Sequence, residues 1–132
     1  MEQRIDAILS DTKTIAVVGI SDNPDRPSHG VAKYLQERGY RVIPVNPLIT
    51  EVLGEKAHKS LTEIPERVDL VDVFRKSADV PPVAEEAVRI GARFFWMQEG
   101  VESERACEIL DAAGIPWVMD RCVKKELARR DK

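Results

Sequence analysis

The sequence has few of the residues that small proteins use for cross-linking or metal binding. It contains two cysteines and two histidines in 132 residues. Cys107 and Cys122 lie outside any Cys-x-x-Cys pattern, and His29 and His58 add no metal-ligand spacing to them. We therefore expect neither a disulfide nor a zinc site.

Long hydrophobic runs and an excess of positive charge are also absent. No apolar stretch approaches the roughly 20 residues of a membrane span, and residues 1–11 carry four charged side chains without a signal-peptide core. The formal net charge of -3 gives no electrostatic footprint for nucleic acid. These features predict a cytoplasmic protein that binds neither a membrane nor a nucleic acid.

Two nucleotide-binding fingerprints are missing as well. A dinucleotide site needs Gly-x-Gly-x-x-Gly after the first strand and an acidic residue at the end of the second strand. Here Gly19 is followed by Ile20 and Ser21, and the second predicted strand ends in Asn46-Pro47. The Gly-Lys-Ser/Thr signature of triphosphate sites does not occur either. The sequence therefore argues against an NAD(P)-dependent oxidoreductase, which we keep as an alternative.

What the sequence does contain is a regular alternation of short apolar strands and amphipathic helices. Strand-like composition covers residues 14–19, 40–45, 69–74, 94–97 and 115–119. Helical periodicity covers residues 2–10, 29–39, 80–91, 103–114 and 123–130. This alternation is typical of βαβ units with right-handed crossovers. We predict an α/β fold over residues 1–132, a single domain with a doubly wound parallel five-stranded sheet, strand order 3-2-1-4-5, and helices on both faces.

The loop after the first strand is rich in polar donors. With the predicted order, the order in which the strands are laid down reverses between the first and fourth strands, so the loops after Gly19, Val45, Phe74 and Met97 should line a crevice. The first of these loops carries Ser21, Asn23, Arg26 and Ser28. Arg26 can hold a phosphate through two hydrogen bonds, and Ser28 is expected at the N-cap of the next helix. The set suits a ligand with several phosphate charges.

Each of these residues also has a purely structural interpretation. Ser21 and Asn23 fit ordinary turn chemistry, and Arg26 fits a solvated charge. Phe74 fits a core position. We interpret Cys122 as a buried structural cysteine, with a reactive thiol beside Arg121 as the alternative.

Five stretches of the chain, in order, carry a resemblance to a known family. They read GISDNP with RPSH (residues 19–29), GYRVIPVNP (39–47), DVFR (72–75), WMQEG (96–100) and DRC (120–122). Together they resemble the small CoA-binding proteins of bacteria and archaea, which are similar to the CoA-binding domain of the succinyl-CoA synthetase α subunit. The resemblance implies a Rossmann-like fold with CoA along the crevice. Its ADP end would lie near the first loop, and its pantetheine arm would cross the sheet edge.

The same resemblance implies a set of ligand-binding residues. The first loop would contact the phosphates, the residues after the second strand would wall the nucleotide, and the exits of the third and fourth strands would contact the ligand. In this sequence Gln98 stands where the synthetase usually has threonine. The implied residues are Gly19, Ile20, Ser21, Asn23, Arg26, Ser28, Asn46, Pro47, Phe74, Arg75, Met97, Gln98 and Glu99.

The sequence shows no serine, cysteine or histidine group that could be assembled into a catalytic constellation. The resembling synthetases use an active-site histidine on a second domain and a nucleotide-grasping partner. We therefore predict a non-catalytic CoA or acyl-CoA binding protein. The CoA-binding subunit of a split acyl-CoA ligase is a further alternative, and a second copy of the chain or a ligase-type subunit is the candidate protein partner.

Overall fold

Helices and strands alternate along the chain as the apolar periodicity predicts. The computed structural model describes residues 1–130. Its helices are α1 (Glu2–Asp11), α2 (Pro27–Glu37), α3 (Val80–Arg89), α4 (Glu104–Ala112) and α5 (Val123–Arg130). Its strands are β1 (Thr14–Val18), β2 (Arg41–Val45), β3 (Glu51–Val52), β4 (Glu55–Lys56), β5 (Leu70–Val73), β6 (Phe94–Met97) and β7 (Trp117–Val118). No helix in this part of the chain is long and apolar enough to cross a bilayer.

Five strands form one parallel sheet with the order β2-β1-β5-β6-β7. The predicted α/β class and the five-stranded parallel sheet with helices on both faces are confirmed. The order differs from 3-2-1-4-5 in one strand, because β5 lies between β1 and β6 and not outside β2. All four residues of β5 are buried, and the strand is paired on both edges. An interior position satisfies both requirements, whereas an edge position would leave one side of the strand without a partner in the sheet.

β2 lies at the edge of the sheet, a position that suits Pro44 within this strand. The carbonyl oxygen of Pro44 accepts a hydrogen bond from the His58 N–H at 3.0 Å, on the side of β2 that faces away from β1. The missing N–H of Pro44 therefore falls on the outer edge and removes no bond from the sheet. The following segment forms the small β3–β4 hairpin, which the weak sequence pattern did not predict.

Alternate side chains of the strands fill two cores, one on each face of the sheet. Ala16, Val71 and Phe95 belong to the core beneath α3 and α4. Ile15 and Trp96 belong to the core beneath α1, α2 and α5. Because the interior strands are buried on both faces, they read as nearly continuous apolar runs in the sequence.

The chain reverses its direction of winding between β1 and β5, and two strand ends meet there. Gly19 follows β1 with φ of +86°, and a Cβ at this position would lie closer than 3.0 Å to the carbonyl oxygen of Phe74. The Phe74 N–H in turn donates to the Val18 carbonyl at 2.8 Å. A glycine is required because both the backbone angle and the space exclude a side chain. This switch point places the loops after β1, β5 and β6 side by side.

Candidate ligand-binding site

An open cavity of about 600 Å³ lies at this switch point. Eight of the residues expected to bind ligand line its wall, namely Gly19, Ser21, Arg26, Ser28, Phe74, Arg75, Gln98 and Glu99. The remaining lining residues are Pro27, Val31, Lys76, Val101 and Cys122. The predicted loops after β1, β5 and β6 are therefore brought together, while the loop after β2 does not reach the cavity.

Five of the expected residues lie elsewhere, each for a visible reason. The side chain of Ile20 is fully buried, and the amide of Asn46 donates to the Ile20 carbonyl at 2.8 Å, so these two residues join loops. Met97 is buried in the core beneath α3 and α4. Asn23 and Pro47 are exposed in turns. The location of a residue near a strand end therefore does not indicate whether its side chain faces the cavity.

The loop from β1 to α2 uses its own backbone donors internally. The Ser21 N–H donates to the Ser28 hydroxyl at 2.9 Å, and the Asn23 N–H donates to the Ser21 hydroxyl at 3.0 Å. The Asn23 side chain accepts from the Asp25 N–H at 2.9 Å, the turn bond that its alternative interpretation anticipated. Both serine hydroxyls act here as acceptors, so each keeps its own hydrogen for a further acceptor.

Ser28 is not the N-cap that the sequence predicted. Helix α2 begins two residues earlier than predicted, with Arg26 as its N-cap and Pro27 at the first helical position, where a missing N–H does no harm. Ser28 is therefore already helical, and its buried hydroxyl ties the helix start to Ser21. The Ser21 and Ser28 hydroxyls and the Arg26 guanidinium are the side-chain donors that this segment brings to the cavity.

Three cationic side chains line the cavity without a carboxylate partner. Arg26, Arg75 and Lys76 form no ion pair with any residue in the described range 1–130. By contrast, Arg41 and Arg130 on the surface each pair with two or more carboxylates. Unpaired guanidinium groups and an ammonium group around one cavity are suited to an anion, above all to phosphate.

The opposite end of the cavity is built by the β6 exit and the start of α5. Gln98 is buried, and its side-chain oxygen accepts the Val123 N–H at 3.2 Å. The two carboxylate oxygens of Glu99 each lie 3.0 Å from the Lys125 ammonium, and this hydrogen bond raises the pKa of Lys125. The Lys125 ammonium thus compensates the negative charge of Glu99. The apolar side chains of Val31 and Phe74 contribute to the wall between the two ends.

Several lining residues were not among those expected to bind ligand. Lys76 directly follows Arg75 in the same polar loop, so its neighbour was a usable signal. Val31 lies on the buried face of α2, as its apolar spacing predicts, and also lines the cavity. Cys122, interpreted from the sequence as a buried cysteine, is buried and lines the cavity as well. Val101, in the loop between β6 and α4, carried no local signal.

Comparisons with known proteins agree with this geometry. Residues 13–128 match the sequence profile of the CoA binding domain family. An uncharacterized protein of Bacillus subtilis, YneT, is 50% identical over 120 residues, which cover 91% of this chain and 89% of YneT. A solved hypothetical protein from Pyrococcus horikoshii superimposes with a TM-score of 0.95 at 39% identity, covering 98% of this chain and 91% of its own.

A longer relative is an enzyme. The ADP-forming acetate–CoA ligase I of Archaeoglobus fulgidus is 31% identical over 121 residues, which are 84% of this chain and 18% of the ligase. The similarity therefore concerns only a part of that enzyme. The profile match covers most of the chain and coincides with the elements that build the cavity. The chain belongs to the CoA binding domain family.

Proposed function

We propose that the cavity at the switch point binds CoA or an acyl-CoA and that the protein acts as a CoA-binding module without catalytic activity of its own. One observation carries this proposal. Arg26, Arg75 and Lys76 surround a single cavity without carboxylate partners. Such a cavity favours a ligand with several phosphate charges.

The remainder of the wall supports the same ligand. The serine hydroxyls of Ser21 and Ser28 can each donate one further hydrogen bond to a phosphate oxygen. Val31, Phe74 and Val101 supply the apolar surface that the aliphatic part of a pantetheine arm would contact. The residues present therefore fit both the charged end and the apolar length of CoA.

A binding role fits this wall better than catalysis does. Cys122 is the nucleophilic thiol on the wall, and the lining residues within the described range include no histidine that could activate it. An NAD(P)-dependent oxidoreductase is further disfavoured because Asn46 directly follows β2, where a ribose-binding carboxylate would stand. The similarity to acetate–CoA ligase keeps one alternative open, in which a partner subunit supplies the chemistry.

Thermal unfolding in the presence of ligands tests this proposal. A ligand that binds only the folded state stabilises it by about 2.7 kcal/mol at one hundred times its Kd. We expect CoA to raise Tm by several degrees, dephospho-CoA to raise it less, and NAD and NADP to leave it nearly unchanged. A shift with NAD and none with CoA would refute the proposal.

The role of the cations is tested in the same assay. Arg26→Ala should weaken CoA binding by about 1.5 to 3 kcal/mol, the range for hydrogen bonds to charged groups, with little change in Tm of the free protein. Arg105→Ala is the matched control, because Arg105 is exposed on α4 and its one ion-pair partner among residues 1–130 is the exposed Glu108. Equal CoA affinity of both variants in titration calorimetry would remove Arg26 from the site.

A further inference from the structure

Cys122 is fixed at the cavity wall by three hydrogen bonds to the end of β6. The Arg121 N–H donates to the Met97 carbonyl at 3.3 Å, and the Trp96 indole N–H donates to the Arg121 carbonyl at 2.7 Å. On the other side, the Val123 N–H donates to the Gln98 side chain at 3.2 Å. The residue between these anchors is Cys122, which is 9% exposed and lines the cavity. The backbone on both sides of Cys122 is therefore held in place relative to the β6 exit.

A second observation at the same place indicates a ligand. Gln98 is only 4% exposed and lines the cavity, and its oxygen is already occupied by the Val123 N–H. The side-chain NH2 of Gln98 forms no hydrogen bond with any residue among 1–130. This amide donor on a largely covered side chain is therefore available to a group bound in the cavity. An amide or thioester carbonyl of the ligand would be a suitable acceptor.

Cys122 lies beside the start of α5 and near one cation. It directly precedes α5, and its carbonyl accepts the Glu126 N–H at 3.1 Å, so the residue lies at the positive end of that helix. The Lys125 ammonium, which also pairs with Glu99, lies close enough to Cys122 to interact with it electrostatically.

The other cysteine provides a contrast within the same molecule. Cys107 is also 9% exposed, but it lies on α4 in the core on the opposite face of the sheet. Its pKa is raised, first by burial and then by the nearby Asp111 and Glu104 carboxylates. The two thiols are thus equally covered but differ in position and in the sign of the surrounding charge.

We propose that the Gln98–Cys122 end of the cavity receives the sulfur end of CoA and that Cys122 forms a mixed disulfide with it by exchange with CoA disulfide. The inference rests on the proposed CoA-binding function and adds the orientation of CoA within the cavity. The phosphates lie at the Arg26, Arg75 and Lys76 end, and the sulfur lies across β5 at the β6 exit.

The exchange needs no external oxidant. The Cys122 thiolate attacks one sulfur of CoA disulfide, a new Sγ–S bond forms, and the S–S bond between the two CoA sulfurs breaks. One CoA leaves as a thiolate and takes up the proton that Cys122 has lost. One disulfide is consumed and one is formed, so the electrons balance.

Intact-protein mass spectrometry tests the inference. The wild-type chain and Cys107→Ser are incubated with CoA disulfide, and we expect each to gain the mass of one CoA, which dithiothreitol removes. Cys122→Ser should gain none. Oxidised glutathione at the same concentration should modify Cys122 at least about tenfold more slowly than CoA disulfide does, because the cavity does not position glutathione. Peptide mapping of the wild-type adduct locates the modified thiol if a variant fails to fold.

The outcomes separate the two proposals. An adduct on Cys107, equal rates with both disulfides, or no adduct while CoA still raises Tm would overturn the inference and leave CoA binding intact. If CoA does not raise Tm of the wild-type chain at all, the proposed function itself fails. Desulfo-CoA, which has no thiol, should still raise Tm and thereby report binding apart from disulfide exchange.

Discussion

At the scale of single residues, Gly19 decides whether the switch point can form. Its positive φ and its approach to the Phe74 carbonyl leave no space for a Cβ. Gly19→Ala should lower the free energy of unfolding by about 2 to 4 kcal/mol, since the substitution adds both backbone strain and a clash with main chain. Urea denaturation measures this change.

A second glycine serves as the control for this substitution. Gly30 lies within α2, has no positive φ, and has no atom within 4 Å of a built Cβ. Gly30→Ala should raise the free energy of unfolding by about 0.5 to 1 kcal/mol, because alanine favours the helix. Similar stabilities for the two variants would contradict the close approach of the β1 and β5 ends.

Asp72 is the residue whose protonation should affect stability most clearly. It lies in β5 in register with Val17 and Trp96, its side chain is fully buried, and neither carboxylate oxygen has a hydrogen-bond partner within residues 1–130. Burial raises the pKa of Asp72 well above its ordinary value. The folded chain therefore binds this proton more tightly than the unfolded chain does.

The pH dependence of Asp72→Asn follows from that sign. The free energy of unfolding of the wild type should fall as the pH rises from the ordinary aspartate pKa of about 3.9 towards the raised value, by up to about 1.4 kcal/mol per pH unit. Asp72→Asn has no such proton to lose, so its Tm relative to wild type should increase from pH 4 to pH 8. Acids with a lowered pKa, such as Glu2, cancel in this difference. A difference independent of pH would show that Asp72 ionises freely in the folded chain.

At the scale of elements, two serines test which helix starts depend on a side-chain cap. The Ser103 hydroxyl accepts the Ala106 N–H at 3.1 Å at the start of α4. Ser60 precedes a 3-10 turn, Leu61–Glu63, and makes no capping bond despite its Ser-x-x-Glu sequence. Ser103→Ala should cost about 1 kcal/mol of folding free energy, and Ser60→Ala less than about 0.5 kcal/mol. Chemical denaturation of both variants measures the two costs, and equal costs would contradict the assignment of Ser103 as the serine that caps a helix.

The elements could largely be predicted from the sequence, whereas their order could not. Apolar periodicity located the helices and interior strands because each buries a stripe or a face. It gave no information on whether residues 69–74 pair with β1 or β2, since both orders satisfy right-handed crossovers. The position of Pro44 on an outer edge and the burial of all of β5 decide it in the structure.

The candidate site, too, could be predicted from the sequence only in part. Ser21 was predicted from its polar loop and Arg75 from the family resemblance, and both line the cavity. Ile20 precedes Ser21 and Met97 precedes Gln98, but both face the cores, because successive side chains at a strand end point to opposite sides. Cys122 was interpreted as a buried cysteine, and its place on the cavity wall follows from the hydrogen bonds between its neighbours and the β6 exit.

At the scale of the whole molecule, charge is distributed unevenly. The chain carries a net charge of -3, and many surface arginines are engaged in ion pairs, as between Arg129 and Glu2 on α5 and α1. Three cations without a carboxylate partner among residues 1–130, namely Arg26, Arg75 and Lys76, lie together at the cavity that the switch point creates. Anions should therefore be drawn to this edge of the sheet, and binding should weaken as salt screens the charges.

The central claim is that CoA binds in this cavity, and a two-dimensional amide NMR titration of the full chain with CoA tests it most directly. We expect the largest shift changes to cluster in residues 19–31, 74–76, 98–101 and 121–123, which surround the cavity. The smaller cavity lined by Arg4, Phe94 and Pro116 serves as the internal reference and should show no change. Shift changes confined to that second cavity, or none at all at saturating CoA, would contradict the account.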